Sequence, residues 1–132
     1  MHQNRQLFEF ESTADTLLLT VNGPFMEFRD HDVRNAYNEA YRLLCQPAAR
    51  HLLVDFSRLE YFGSTFVGIL IRLAKKVRMC GGETVLCSLS DSMQEMLRSL
   101  TLLENTKTDF FFKRFPNAEQ ALAYLQSLPP AP

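Results

Sequence analysis

The chain has 132 residues, of which 46% are hydrophobic and 22% charged, and its formal net charge is −1. That is enough for one domain with a single sizeable core, in the ordinary composition range of folded proteins. The near-neutral balance excludes a nucleic-acid binder that works by phosphate neutralisation, and no short window gathers the Lys and Arg of a membrane-surface patch.

Leu7 to Glu11 alternates apolar and polar residues, the pattern of a half-buried strand. Thr13 to Asp15 supplies a turn, and Thr16 to Val21 continues as a second strand ending at Asn22-Gly23-Pro24. A β-hairpin therefore opens the chain. Asp30 or Asp32 starts a helix in which Val33, Ala36, Tyr37, Ala40, Tyr41 and Leu44 recur at helical spacing, and Pro47 ends it. Leu52-Leu53-Val54 with Phe56 is an unbroken apolar run, as in an inner strand covered on both faces.

A second helix is expected from Ser64 to about Met79, with Ser64 as its N-cap and Gly81-Gly82 as its stop. Glu83 to Cys87 reads as a strand. Ser90 or Asp91 begins a third helix, with Met93, Met96, Leu97 and Leu100 on one face. Phe110 to Phe112 is expected as the last strand, and Asn117 caps a final helix with Ala118, Ala121, Leu122 and Leu125 inward. Residues 129–132 contain three prolines and are expected as a disordered tail behind a domain spanning 1–128. The fold class is α/β: one mixed sheet of about five strands with about four helices, the strands separated by helices being parallel.

Cys45, Cys80 and Cys87 have no metal-site or redox-motif spacing and read as buried or half-buried free thiols of a cytoplasmic protein. Met1 to Glu11 lacks the basic and apolar runs of a signal peptide, and the most apolar window, Phe66 to Ala74, is too short to cross a bilayer. No cofactor or metal is expected.

Around the second helix, Phe66, Ile69, Leu70, Leu73, Ala74 and Val77 fall on a core side. Ser64, Thr65, Gly68, Arg72, Lys75 and Lys76 fall on the other, with Val67 and Ile71 at the boundary. Gly68 fits either close packing against a neighbouring element or a docking groove bordered by Val67 and Ile71. Ser64 fits either a plain cap or a phosphate carrier at the positive end of the helix dipole.

Three local patterns carry a resemblance: Val54-Asp55-Phe56-Ser57 followed by an aromatic pair and Ser64-Thr65, Gly81-Gly82-Glu83 before a strand, and Phe111 to Phe115 before Asn-x-Glu-x-Ala-Leu. With the order of elements, they make the chain resemble the STAS family of anti-sigma factor antagonists and sulfate-transporter tails, from about Phe8 to Leu125. The resemblance implies a regulatory binding module, not an enzyme, whose partner is an anti-sigma factor that is also a serine kinase. Phosphorylatable members resemble Asp-Ser-Ser/Thr-Gly-Leu-Gly, matched here by Gly63-Ser64-Thr65-Phe66-Val67-Gly68. Ser64 holds the phospho-acceptor position and Thr65 is second choice, while Gly63 replaces the aspartate and Phe66 the first glycine. The partner surface implied is Ser64, Thr65, Val67, Gly68, Ile71 and Arg72, with self-association through it left open. The alternatives are an unphosphorylated STAS scaffold, or a small enzyme using His31 with Asp30 and Asp32, or Asp55 with Glu60.

Overall fold

The computed structural model describes residues 6–23, 30–46, 48–100, 102–103 and 112–129. Its elements run β1 (Phe8–Thr13), β2 (Thr16–Val21), α1 (Asp30–Leu44), β3 (His51–Asp55), α2 (Ser64–Met79), β4 (Thr84–Cys87), α3 (Asp91–Ser99), β5 (Lys113–Phe115) and α4 (Ala118–Gln126). The five strands form one sheet in the order β1-β2-β3-β4-β5. β1 and β2 pair antiparallel, from Phe8 opposite Val21 to Thr13 opposite Thr16, and every later pair is parallel. The expected hairpin and mixed sheet are both present.

Strand order that advances one step at a time sends each right-handed crossover over the same face. Ala40 and Leu44 of α1, Leu70 and Leu73 of α2, and Met93 and Leu97 of α3 accordingly share one core with Leu17, Leu19, Leu52, Val54 and Leu86. Alternation along the strands aims Leu53, Val85 and Cys87 the other way, where Ala121 and Leu125 of α4 cover them. β3 and β4 are thus buried on both faces, which is why they read as unbroken apolar runs.

The polar base of the sheet is pinned by Arg50 and His51. The Glu83 N–H donates to His51 Nδ1 at 3.0 Å, and Tyr124 Oη donates to Glu83 Oε1 at 2.7 Å. Arg50 donates through Nη1 to the Pro129 carbonyl (2.7 Å) and through Nε to that of Gly81 (3.3 Å). The first of these bonds connects Pro129 to the base of the sheet; 130–132 lie outside the described residues.

Four expectations are corrected. The last strand is Lys113–Phe115, with Phe112 outside it in an isolated bridge to Leu103, and residues 110–111 lie outside the described residues. As an edge strand it exposes Lys113 and Arg114, so its polarity hides it beside the louder aromatic run. Leu100 follows α3 as its C-cap and is 43% exposed, because the helix ends before its apolar stripe completes another turn. Cys45 and Cys80 sit at helix ends and are exposed; Cys87 alone is buried. Ser64 is the first residue within α2, and Gly63 is the N-cap.

Candidate functional site

The approach to α2 is built from the end of β3. Asp55 Oδ1 accepts the Ser57 N–H at 2.9 Å, closing a side-chain turn, and the Leu59 N–H donates to the Phe56 carbonyl at 3.1 Å. Phe56, Phe62 and Phe66 are all buried, with ring centroids 5.3 to 5.9 Å apart, and Phe8 meets Phe66 edge-on at 6.2 Å. These rings nail both ends of the loop to the core.

Polar contacts hold the loop from both sides. Arg58 Nη1 bonds Glu9 Oε2 (2.9 Å) and Asn22 Oδ1 (3.2 Å), tying it to the hairpin. Gly23 lets β2's exit come close, since a Cβ there would lie 2.8 Å from Leu59 Cδ1. On the far side Ser90 Oγ donates to the Glu60 carbonyl at 2.7 Å and accepts the Met93 N–H at 3.2 Å, so one hydroxyl fixes the loop and caps α3. Tyr61, between these anchors, is 53% exposed.

Gly63 enters α2 in an extended conformation (φ −99°, ψ −179°) and makes no side-chain cap bond, while its carbonyl accepts from the Phe66 and Val67 N–H groups. Nor does the first turn contain an acidic residue. The positive end of the dipole therefore carries no side-chain neutralisation from the cap or first turn, where an anion is favoured. A Cβ on Gly63 or Gly68 would meet nothing within 4 Å. Gly68 is therefore not a packing glycine against another described element of the domain.

Thr65, Gly68 and Arg72 are exposed along the outer face of α2, and Ile71 is half-buried. Val67 departs from the expectation: at 3% exposure it belongs to the core. The buried face of α2 is broader than an even division of the helix suggests, because Val67 and Ala74 both turn inward beside Phe66 and Leu70. Phe66 faces the core as expected. Tyr61 was not singled out by the sequence, since an aromatic between a buried strand and a helix reads as core; its exposure is visible only in three dimensions.

Among the described residues, groups suited to catalysis do not converge around the start of α2. His31 Nδ1 and Asp32 Oδ1 are 3.8 Å apart on the exposed start of α1, and Asp55 is occupied by the Ser57 turn. Among the described residues no three His, Cys, Asp or Glu side chains gather as a metal site. A cleft of about 420 Å³ beside Phe8, Phe10, Asp32 and Ala36 shares no lining residue with α2. No helix among the described residues is long and apolar enough to cross a membrane.

The frame just described, a hairpin, three one-sided crossovers and a loop that delivers two hydroxyl residues to a helix start, matches the STAS domain family model over residues 8–121. The chain belongs to the STAS domain family. Solved STAS structures share its fold. An anti-sigma-factor antagonist (STAS) domain protein from Planctomyces limnophilus is 21% identical, with 91% of this chain and 98% of that one covered and a TM-score of 0.75. The anti-sigma factor antagonist SpoIIAA in its unphosphorylated form is 18% identical over 93% and 99% of the two chains, with a TM-score of 0.74. The Bacillus cell fate determinant SpoIIAA in its phosphorylated form is 19% identical over 89% and 97%, with a TM-score of 0.66.

Proposed function

We propose that this STAS domain is an anti-sigma factor antagonist-like binding module that docks through the start of α2 and is switched by phosphorylation of Ser64 by an anti-sigma factor kinase. The observation that carries the reading is the helix start itself: Ser64 heads α2 behind a cap with no side chain, and open space surrounds Gly63 and Gly68. The relative solved in phosphorylated and unphosphorylated forms supports a phosphate-controlled module.

A phosphate on Ser64 would add about −1.5 to −2 charges at pH 7. Within the domain the helix dipole favours that charge, whereas in a desolvated partner interface an unpaired charge costs several kcal/mol. Modification thus releases the partner and leaves the fold intact. The docking residues proposed are Ser64, Thr65, Gly68, Ile71 and Arg72; buried Val67 supports the face from beneath.

The test incubates purified protein with an anti-sigma factor kinase and ATP and locates phosphate by mass spectrometry. Phosphate on Ser64, absent in Ser64→Ala, is expected, together with loss of kinase binding in Ser64→Asp. Phosphate confined to other residues, with Ser64→Asp still binding, overturns the switch. The second reading is an unphosphorylated STAS scaffold, favoured by Gly63 where phosphorylatable members have aspartate. It predicts binding that is indifferent to Ser64→Asp yet lost in Gly68→Leu.

A further inference from the structure

The outer face of α2 continues past the hydroxyl residues into a purely cationic half. α2 holds four of the chain's 14 cationic side chains, Arg72, Lys75, Lys76 and Arg78, and none of its 15 acidic ones. The rest of the chain carries 15 acidic side chains against 10 cationic ones, so this helix is opposite in sign to the net charge of the remainder.

Arg72, Lys75 and Arg78 are exposed, and among the described residues none of them has a carboxylate partner. Lys76 is set apart, its Nζ lying 5.4 Å from the centre of the Tyr41 ring. The helix dipole accounts for cations only within the last turn, which holds Lys76 and Arg78. It does not account for Arg72 or Lys75. Large apolar side chains mark the two ends of the face: Tyr61, 53% exposed, just before α2, and Met79, 83% exposed, at its last residue.

We propose that the outer face of α2 from Thr65 to Met79 is a protein-docking surface whose partner meets it with an acidic face, Arg72 and Lys75 pairing with the partner's carboxylates between apolar anchors at Tyr61 and Met79. This deepens, and rests on, the reading of α2 as the docking element. Unpaired cations of one sign along a rigid helix are complementary to an anionic surface, which they would steer and orient. Arg, Met and aromatic side chains together are the composition of a protein interface. A polyanion such as nucleic acid would meet only the four cations of one helix on a chain that is otherwise net acidic, which releases few counterions. Sixteen helical residues span about 24 Å, a length suited to an interface of standard size.

The test places a benzoylphenylalanine photocrosslinker at Tyr61, at Met79 and, as a control on the opposite layer, at Glu119 of the full chain, and irradiates native cells. Protein adducts are expected at 61 and 79 but not at 119, and the cross-linked partner peptides should contain more Asp and Glu than Lys and Arg. Arg72→Glu with Lys75→Glu should lower adduct yield on the order of tenfold, whereas Arg72→Lys with Lys75→Arg should keep it. Thermal melts of both double variants verify that the fold is retained. Neutral or basic partner peptides, adducts only to nucleic acid or lipid, no adduct at either position, or a yield indifferent to charge reversal would each overturn the proposal. An acidic partner captured at Met79 while Ser64 never carries phosphate removes the switch and leaves the docking surface standing.

Discussion

Phe66 touches Phe8, Phe56 and Phe62, and with 1% exposure it is the hub of the ring cluster under the start of α2. The glycine found there in phosphorylatable STAS members would leave a cavity. Phe66→Gly should therefore destabilise the domain by about 4 to 5 kcal/mol, from the lost ring and the poorer helix propensity together. Urea denaturation measures it; a loss below about 1 kcal/mol would mean the cluster closes up without the ring.

His51 is the second residue whose surroundings dictate a measurable property. Burial pushes its imidazole below its ordinary range, the Asp15 carboxylate 3.9 Å from Nε2 works the other way, and Arg50 adds to the lowering. Nδ1 accepts the Glu83 N–H and so carries no proton in the fold. Unfolding then takes up a proton at any pH between the folded value and about 6.5. Stability should be full above that pH and decline as pH falls below it, levelling off beneath the folded value. Denaturant midpoints from pH 8 to pH 5 should show this slope, and His51→Gln should flatten it.

At the scale of the element, α2 combines a buried face that fixes it in the fold with an outer face that the fold does not need. Gly68 separates the two roles. A side chain there meets open space, and leaving glycine improves helix propensity by up to about 1 kcal/mol. Gly68→Leu should hold or raise the melting temperature while abolishing partner binding. A lower melting temperature would show that Gly68 serves packing.

The bounds of α2 were legible in the sequence because a strong 3.6-residue stripe ends at Gly81-Gly82. Gly81 takes a positive φ of 82° and the Gly82 N–H returns to the Val77 carbonyl, the geometry that glycine favours after a helix. The one-residue shift of the cap from Ser64 to Gly63 was not legible, since serine and glycine both serve as caps and the turn before them decides which does. Val67 lies deeper than its helical angle predicts for a related reason. Periodicity gives an angle around the helix, but how far neighbouring strands and loops climb that side is a tertiary fact. β5 was obscured for the opposite cause, since an edge strand lacks the two-sided burial that makes β3 conspicuous.

The whole molecule is asymmetric about its sheet: three helices cover one face, and α4 covers β3, β4 and β5 on the other. Cys87 lies fully buried in that smaller core beside Leu53, Val85, Ala121 and Leu125. Its thiol is pushed up to about 12, first by burial and then by the nearby Asp55 carboxylate. Only a thiolate attacks a maleimide or disulfide reagent efficiently, so Cys87 reacts when α4 opens and otherwise stays inert. At pH 8 the exposed Cys45 and Cys80 should be modified first, with Cys87 slower by a hundredfold or more, on the order expected of an amide protected by sub-global opening. Arg50 bears on the same motion, because its bond to the Pro129 carbonyl ties the chain just beyond α4 to the base of β3. Arg50→Ala should speed modification of Cys87 several-fold while shifting global stability by only about 1 kcal/mol. Mass spectrometry of the timed reaction resolves the three thiols. Equal rates at all three in the unaltered protein would show that α4 does not close the second face, whereas acceleration confined to Cys87 in Arg50→Ala identifies α4 as the layer that opens on its own.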